Sequence, residues 1–195
     1  MVRNRKLIFV IAGVIFALLA ITIGYRLFWI NARYPSPDVH TYGVDETIQV
    51  GNYTIKFSDW QWGDGSVLQE LYPGYRFLPD ANGNDYPTSL MRVGVAEVLI
   101  SKVRDDNSSL DLTCIYFESG AWGNQFDMDL MYGINPKLEG LRVRLDEGES
   151  VKVLLPITMI DRQFDAKQWQ EIDNRTFYIV LQYYPTKLQF ECLAG

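Results

Sequence analysis

LMRVGVAEVLISKV, residues 90–103, is a long run of aliphatic and β-branched residues that favours a strand. Its alternation of apolar and polar residues breaks around Glu97. A β-bulge, or a switch of the strand from one sheet to another, would explain such a change of phase. We therefore predict one long strand with an irregularity at Glu97.

The runs before and after it also have the period-two pattern of strands with one buried face. Tyr53, Ile55 and Phe57 alternate with polar residues in this way. Pro156 indicates that the second half of its run lies at a sheet edge or a bend. The predicted strands are Thr47–Val50, Tyr53–Trp60, Leu90–Val103, Leu110–Glu118, Gln125–Met131, Leu141–Leu145, Ser150–Ile160, Thr176–Tyr184 and Lys187–Cys192.

Apart from the apolar N-terminus, the sequence predicts one short helix, near residues 166–173. Asp165 is in place as its N-cap, and Gln168 follows three residues later, which is the arrangement of a capping box. Trp169 and Ile172 would share one face of this helix. Many short strands, turns at near-regular spacing and one short helix indicate a mostly β fold, an immunoglobulin-like β-sandwich.

An apolar segment, Leu7–Gly24, contains eighteen residues and no charge. A helix that continues to Ile30 is long enough to cross the ~30 Å hydrocarbon core of a bilayer. Three basic residues precede the segment and two follow it, which favours a cytoplasmic N-terminus and an extracytoplasmic C-terminal domain. A cleaved signal peptide is the alternative, although its apolar core would be shorter, about 7–15 residues.

The anchor helix also carries small residues on one face. Gly13, Ala17, Ala20 and Gly24 could support a weak homodimer, but small residues are common in any membrane helix. The predicted organisation is a single-pass anchor at 1–30, a stalk at 31–44, and a sandwich ectodomain at 45–195 with an irregular, aromatic-rich insertion at 61–89.

The negative charge of the chain after the anchor disfavours nucleic acids as partners. Residues 35–195 carry all 24 acidic residues and 13 of the 18 basic ones, a formal charge of −11. Such a domain is repelled by phosphate backbones, so nucleic-acid binding is disfavoured. The two cysteines, Cys114 and Cys192, could form a disulfide in an extracytoplasmic setting or remain buried thiols.

The insertion at 61–89, together with the end of the strand before it, holds the candidate ligand-binding residues. Exposed aromatic side chains beside polar groups could stack on sugars or anchor a protein, whereas buried ones would form a satellite core. The aromatic candidates are Trp60, Trp62, Tyr72, Tyr75 and Tyr86. Oxygen-bearing side chains at Asp80, Asn82, Asn84 and Asp85 resemble a calcium loop, but the glycine falls at the wrong position, and the same residues simply favour turns.

The sequence offers no catalytic set. His40 is the single histidine and lies in the predicted stalk, so a Ser-His-Asp or Cys-His arrangement would have to recruit it from outside the sandwich. Neither it nor the two cysteines have the spacing of a zinc site. We expect no cofactor and no enzymatic activity.

Three segments, GNYTIKF (51–57), FDAKQW (164–169) and FYIVLQYYPTK (177–187), follow the N-terminal anchor. In this combination, residues 45–195 resemble the small membrane-anchored immunoglobulin-like ectodomains of unknown function from Gram-positive bacteria. The resemblance implies a sandwich and an outward topology, and it carries over no functional residues.

The sequence therefore predicts a single-pass cell-membrane protein whose extracytoplasmic domain binds a protein, or assembles with one, in the cell envelope. The alternative is a glycan-binding or calcium-assisted adhesive domain that uses the loop at 61–89.

Overall fold

The computed structural model describes residues 2–75 and 83–193, except for the side chains of residues 2–8 and 10. The chain forms two compact units, Met1–Asp38 and Val39–Gly195. The first contains helix α1, Val2–Arg33. Within it, the segment Ile11–Arg33 is long and apolar enough to span a membrane.

The second unit is a mostly β sandwich, as predicted. Sheet A has the strand order β1-β11-β10-β6-β7, sheet B has the order β2-β3-β4-β9, and β5 and β8 form a separate pair. The strands are β1 Asp38–Tyr42, β2 Thr47–Val50, β3 Tyr53–Gly63, β4 Met91–Lys102, β5 Leu110–Asp111, β6 Tyr116–Ser119, β7 Trp122–Asn124, β8 Arg142–Val143, β9 Ser150–Ile160, β10 Thr176–Gln182 and β11 Thr186–Leu193. The short helices are α2 Ser66–Leu71, α3 Met128–Ile134 and α4 Ala166–Gln170.

The main core lies between the two sheets. Phe57 and Ile100 from sheet B are fully buried against Phe117, Phe177 and Phe190 from sheet A. The Phe57 and Phe190 rings are 5.2 Å apart between centroids. Burial of each such side chain contributes about 1.5–3 kcal/mol to the free energy of unfolding, so this layer is what holds the sheets together.

The predicted irregularity at Glu97 is absent from β4. The pairing of β4 with β9 runs without interruption from Met91↔Ile160 to Ser101↔Ser150. The bulge lies in β3 instead, at Ser58, where the register with β4 shifts between Phe57 and Asp59. The prediction of an irregularity in β4 was therefore wrong, and the break in alternation around Glu97 has another cause.

That cause is a second cluster of apolar side chains on the outer face of sheet B. Ala96, Val98 and Ile100 face the main core, whereas Val93 and Val95 face the second cluster. Val67 and Leu68 of α2 and Leu130 of α3 complete this cluster, together with Tyr86 and Met91. The first half of β4 is thus covered on both faces, so its apolar residues follow one another without polar residues between them.

The bulge at Ser58 decides which way the end of β3 faces. Before it, Tyr53, Ile55 and Phe57 point into the main core, and after it the inward positions are Trp60 and Trp62. An extra residue in one strand shifts the alternation by one position, which is why even-numbered residues face inward here.

Helix α3 covers the edge strand β9. The Asn135 side chain donates to Leu154 O (2.8 Å) and accepts from Leu154 N (2.8 Å), as a neighbouring strand would do. Asp127 N donates to Pro156 O at 2.8 Å. Of the two predicted places for Pro156, a sheet edge or a bend, the structure shows the edge strand β9, and these contacts satisfy backbone groups that the edge would otherwise expose.

Several predicted boundaries were wrong. Residues 38–42 form β1 at the edge of sheet A, so the sandwich begins before the predicted start at 45, and the stalk is shorter than 31–44. The predicted strand at 125–131 is largely helix α3, because Asp127 accepts from Leu130 N and acts as an N-cap. The insertion at 61–89 contains the end of β3 and helix α2.

The helix at 166 was predicted correctly. Asp165 Oδ1 accepts from Gln168 N (2.8 Å), and Gln168 Oε1 accepts from Asp165 N (3.1 Å), which completes the capping box.

The cysteines do not form a disulfide. Cys192 is buried in the main core, and this burial raises the pKa of its thiol. Cys114 is not a buried thiol: it is exposed, because residues 112–114 form a 3₁₀ turn that buries Leu112 instead.

We expect Gly94→Ala to destabilise the sandwich. A Cβ built on Gly94 would lie 2.1 Å from the ring of Trp60, which is stacked on Trp62 and cannot move away freely. Overpacking of this kind lowers the free energy of unfolding by about 1–3 kcal/mol. Urea unfolding followed by tryptophan fluorescence would measure it.

Gly140→Ala is the matched control, because nothing lies within 4 Å of its added Cβ. It should change the free energy of unfolding by less than about 0.5 kcal/mol. Equal effects of the two substitutions would contradict the placement of Trp60 over Gly94.

Candidate functional site

The five aromatic residues singled out in the sequence do not form one surface. Trp60 and Trp62 lie on the inner face of sheet B, whereas Tyr75 and Tyr86 pack with the cluster on its outer face. The ring of Tyr72 lies against Gly133 of α3 and is 37% exposed. The sheet therefore separates the residues that the sequence placed together.

Trp62 is tied into the end of the sandwich. Its ring lies 4.8 Å from that of Phe177, and its Nε1 donates to Asp173 Oδ1 at 3.0 Å. Asp173 also accepts two hydrogen bonds from Arg92, from Nε at 2.6 Å and from Nη2 at 2.8 Å. The hydrogen bonds from Arg92 hold the pKa of Asp173 below its usual range, so this ion pair stabilises the fold above about pH 4 and loses that effect as the pH falls.

The two tyrosines of the outer cluster are held by carboxylates. Tyr75 Oη donates to Asp127 Oδ2 at 2.6 Å, and Thr158 Oγ1 donates to the same oxygen at 2.8 Å. Tyr86 is only 7% exposed and donates to Asp161. Burial, followed by the bond to Asp127, raises the pKa of Tyr75. These contacts are those of a packed satellite core.

The calcium-like residues are only partly within the described chain. Asp80 and Asn82 lie outside the described residues, and Asn84 and Asp85 are exposed. Within residues 2–75 and 83–193, no group of three or more His, Cys, Asp or Glu side chains could hold a metal ion.

A different site lies at the end of sheet A, where the β6–β7 hairpin meets the segment before β10. We call it the end groove; it has a volume of about 440 Å³. It is lined by Ser119, Gly120, Ala121, Trp122, Gln163, Phe164, Gln168 and Arg175.

The local sequence explains how each wall of the end groove forms. Gly120, at φ 61°, allows the two-residue turn that joins β6 to β7 and brings Trp122 to the rim. On the opposite side, a 3₁₀ turn at 161–163 and the capping box of α4 place Phe164 and Gln168. Arg175 lies just before β10.

Ring contacts connect the end groove to the main core. Trp122 lies 5.9 Å from Phe164 and 6.0 Å, edge to face, from the buried Phe177. Phe164 in turn lies 5.9 Å from Trp169. Because Phe177 also contacts Trp62, the aromatic wall of the end groove continues into the core and is rigidly supported.

The polar side chains of the end groove mostly present donors. The Gln163 and Gln168 side chains use Oε1 to accept from the backbone of Ile160 and Asp165. Their Nε2 groups make no hydrogen bond to the described residues, and the same holds for Trp122 Nε1. The Arg175 guanidinium lies 5.6 Å from the centre of the Phe164 ring.

Another depression, of about 560 Å³, is a weaker candidate. Arg142 on its surface is already paired with Asp111, whose carboxylate lies 3.3 Å away, and Glu139 adds a further negative charge. Of the described residues, Tyr132 is the single aromatic one in its lining, whereas Trp122 and Phe164 both line the end groove.

Sequence reasoning missed the end groove because its residues are scattered between 119 and 175. No window of the sequence contains more than a part of it. The signals in the sequence were Trp122 between Gly120 and Gly123 and the capping box at Asp165, and neither indicates a ligand by itself.

A family model described as "Domain of unknown function (DUF5028)" matches residues 75–188. The chain belongs to this family. The DUF5028 match covers more than half of the chain and includes every residue of the end groove, but it excludes α1 and β1–β3. Among curated proteins, none matches the chain.

Two solved structures are similar to this chain. A conserved hypothetical protein from Bacillus anthracis is 12% identical, with a TM-score of 0.49, over 76% of this chain and 94% of that one. An uncharacterized beta-sandwich protein from Clostridium difficile 630 is 13% identical, with a TM-score of 0.43, over 80% of this chain and 95% of that one.

Proposed function

We propose that this DUF5028 protein is a single-pass membrane protein whose sandwich lies outside the cytoplasm and binds a protein partner in the cell envelope, without catalysis. The observation that carries the proposal is the end groove, which is open, donor-rich and backed by a rigid aromatic wall.

The N-terminal segment supports the location. Arg3, Arg5 and Lys6 precede the uncharged stretch Leu7–Gly24, whereas Arg26 and Arg33 follow it, and such a bias favours a cytoplasmic N-terminus. A signal sequence would pass the same test of length and hydropathy. Both alternatives place the sandwich outside the cytoplasm, and they differ only in whether α1 is retained.

The distribution of reactive groups supports binding rather than catalysis. His40 lies on the exposed strand β1, and the thiol of Cys192 is buried in the core. The end groove contains no histidine, cysteine or carboxylate side chain that could act as a nucleophile or a general base.

The location can be tested with the native cysteines. A membrane-impermeant maleimide added to intact cells should label the exposed Cys114 but not the buried Cys192. Labelling would be measured by the mass shift of the purified chain.

Cys114→Ser should abolish this labelling, whereas Cys192→Ser should leave it unchanged. Labelling of Cys114 only after the cells are lysed would place the sandwich in the cytoplasm and overturn the proposed topology.

Partner binding can be tested with a photo-crosslinking residue at Ala121, an exposed position at the tip of the β6–β7 hairpin that lines the end groove. In cells that naturally make the chain, irradiation should give one discrete adduct with another protein. The adduct would be measured by its shift on a denaturing gel and identified by mass spectrometry.

The same crosslinker at Glu147, in the exposed turn before β9, is the control and should give no such adduct. Identical adduct patterns at the two positions, or none at either, would contradict a partner site at the end groove.

A further inference from the structure

Most of the buried or half-buried basic side chains of the sandwich form an ion pair with a carboxylate. Four of its buried or half-buried basic side chains have a carboxylate partner in the described part of the chain: Lys56 with Asp45, Arg92 with Asp173, Lys102 with Asp106, and Lys187 with Glu118. Arg175 is also half-buried, but none of the described carboxylates pairs with it.

A half-buried cation without a partner is costly, because it loses water and gains no opposite charge. The Arg175 guanidinium contacts the face of Phe164, an arrangement that holds the side chain in place and leaves its N–H groups available. A planar guanidinium binds a carboxylate through two parallel hydrogen bonds, which is the strongest pairing open to it.

We propose that the end groove binds a carboxylate-bearing peptide segment of the partner protein, with Arg175 pairing with the carboxylate and Trp122 and Phe164 contacting the apolar part of the peptide. This assignment rests on the proposed partner-binding function and specifies the chemistry of the ligand.

The lining of the groove matches such a ligand. None of the described lining side chains is acidic, in a domain whose net charge is strongly negative, so no lining side chain repels the carboxylate of a ligand. The Nε2 groups of Gln163 and Gln168, which line the same groove as Arg175, add further donors. A carboxylate can accept up to about four hydrogen bonds, so it can use these donors together with the guanidinium.

The geometry favours a peptide over a sugar. Sugar hydroxyls donate as well as accept, and the side chains of the end groove offer donors but no carboxylate to accept from them. In addition, β7 is the last strand of sheet A, and Trp122 of the groove lies on it. An extended peptide can form main-chain hydrogen bonds with an edge strand of this kind while its side chains enter the groove.

The test is a titration of the full chain in detergent micelles, with its tryptophan indole groups labelled with ¹⁵N. The probes are two blocked tripeptides, N-acetyl-Leu-Glu-Leu-amide and N-acetyl-Leu-Gln-Leu-amide, which differ in one carboxylate. We expect the Trp122 indole signal to shift with the Glu peptide and the affinity for the Gln peptide to be about tenfold lower.

Arg175→Gln should remove the preference for the Glu peptide, and Arg175→Lys, which keeps the charge but not the bidentate geometry, should retain part of it. Arg144→Gln removes an exposed arginine outside the end groove and should leave the preference unchanged. The remaining tryptophan signals report whether each variant is folded.

Three results would overturn the proposal: equal affinity for the two peptides, a Glu preference that survives Arg175→Gln, or no shift of the Trp122 signal at about 10 mM peptide. A shift of that signal with tetragalacturonate and not with the peptides would assign the groove to an acidic glycan instead. If the Ala121 adduct forms in cells and also persists in Arg175→Gln, partner binding stands and only the carboxylate assignment fails.

Discussion

The structure depends on the burial of both faces of sheet B at one end of the sandwich. Val93 and Val95 pack under α2 and α3, while Gly94 and Ala96, on the opposite face, lie in the main core. Only a glycine leaves space there for the ring of Trp60. Because β4 is enclosed on both sides, helices α2 and α3 act as a third layer over sheet B, and α3 also covers the edge strand β9.

The end groove follows from the same arrangement. The bulge at Ser58 turns Trp62 inward, where it meets Phe177 and donates to Asp173. Arg92, which lies in β4, donates a hydrogen bond to Asp173, and its guanidinium lies 5.4 Å from the centre of the Trp169 ring. These contacts attach to β4 the segment that carries α4 and one wall of the end groove. The functional surface that we propose is therefore built on the core rather than on a loose loop, and it can bind a ligand without first becoming ordered.

The sequence predicted those elements whose cause is local. Alternation predicted the sandwich and the full extent of β9, and the Asp165-Gln168 pair predicted the start of α4. The bulge was predicted in the wrong strand. The second core, on the outer face of sheet B, interrupts the alternation of apolar and polar residues in β4 in the same way as a bulge would. Such a core depends on residues far apart in the chain, from Val67 to Leu130, which no local pattern reveals. The unpaired charge of Arg175 is likewise visible only once its neighbours are known.

The bulge in β3 directs Trp60 and Trp62 into the sandwich, and this orientation can be measured by nuclear Overhauser effects on the full chain in micelles. We expect strong effects between the Trp60 ring and the Gly94 α-protons, and between the rings of Trp62 and Phe177, whose centroids are 4.8 Å apart. Effects between Trp60 and Val93 or Val95, on the opposite face of β4, would contradict it.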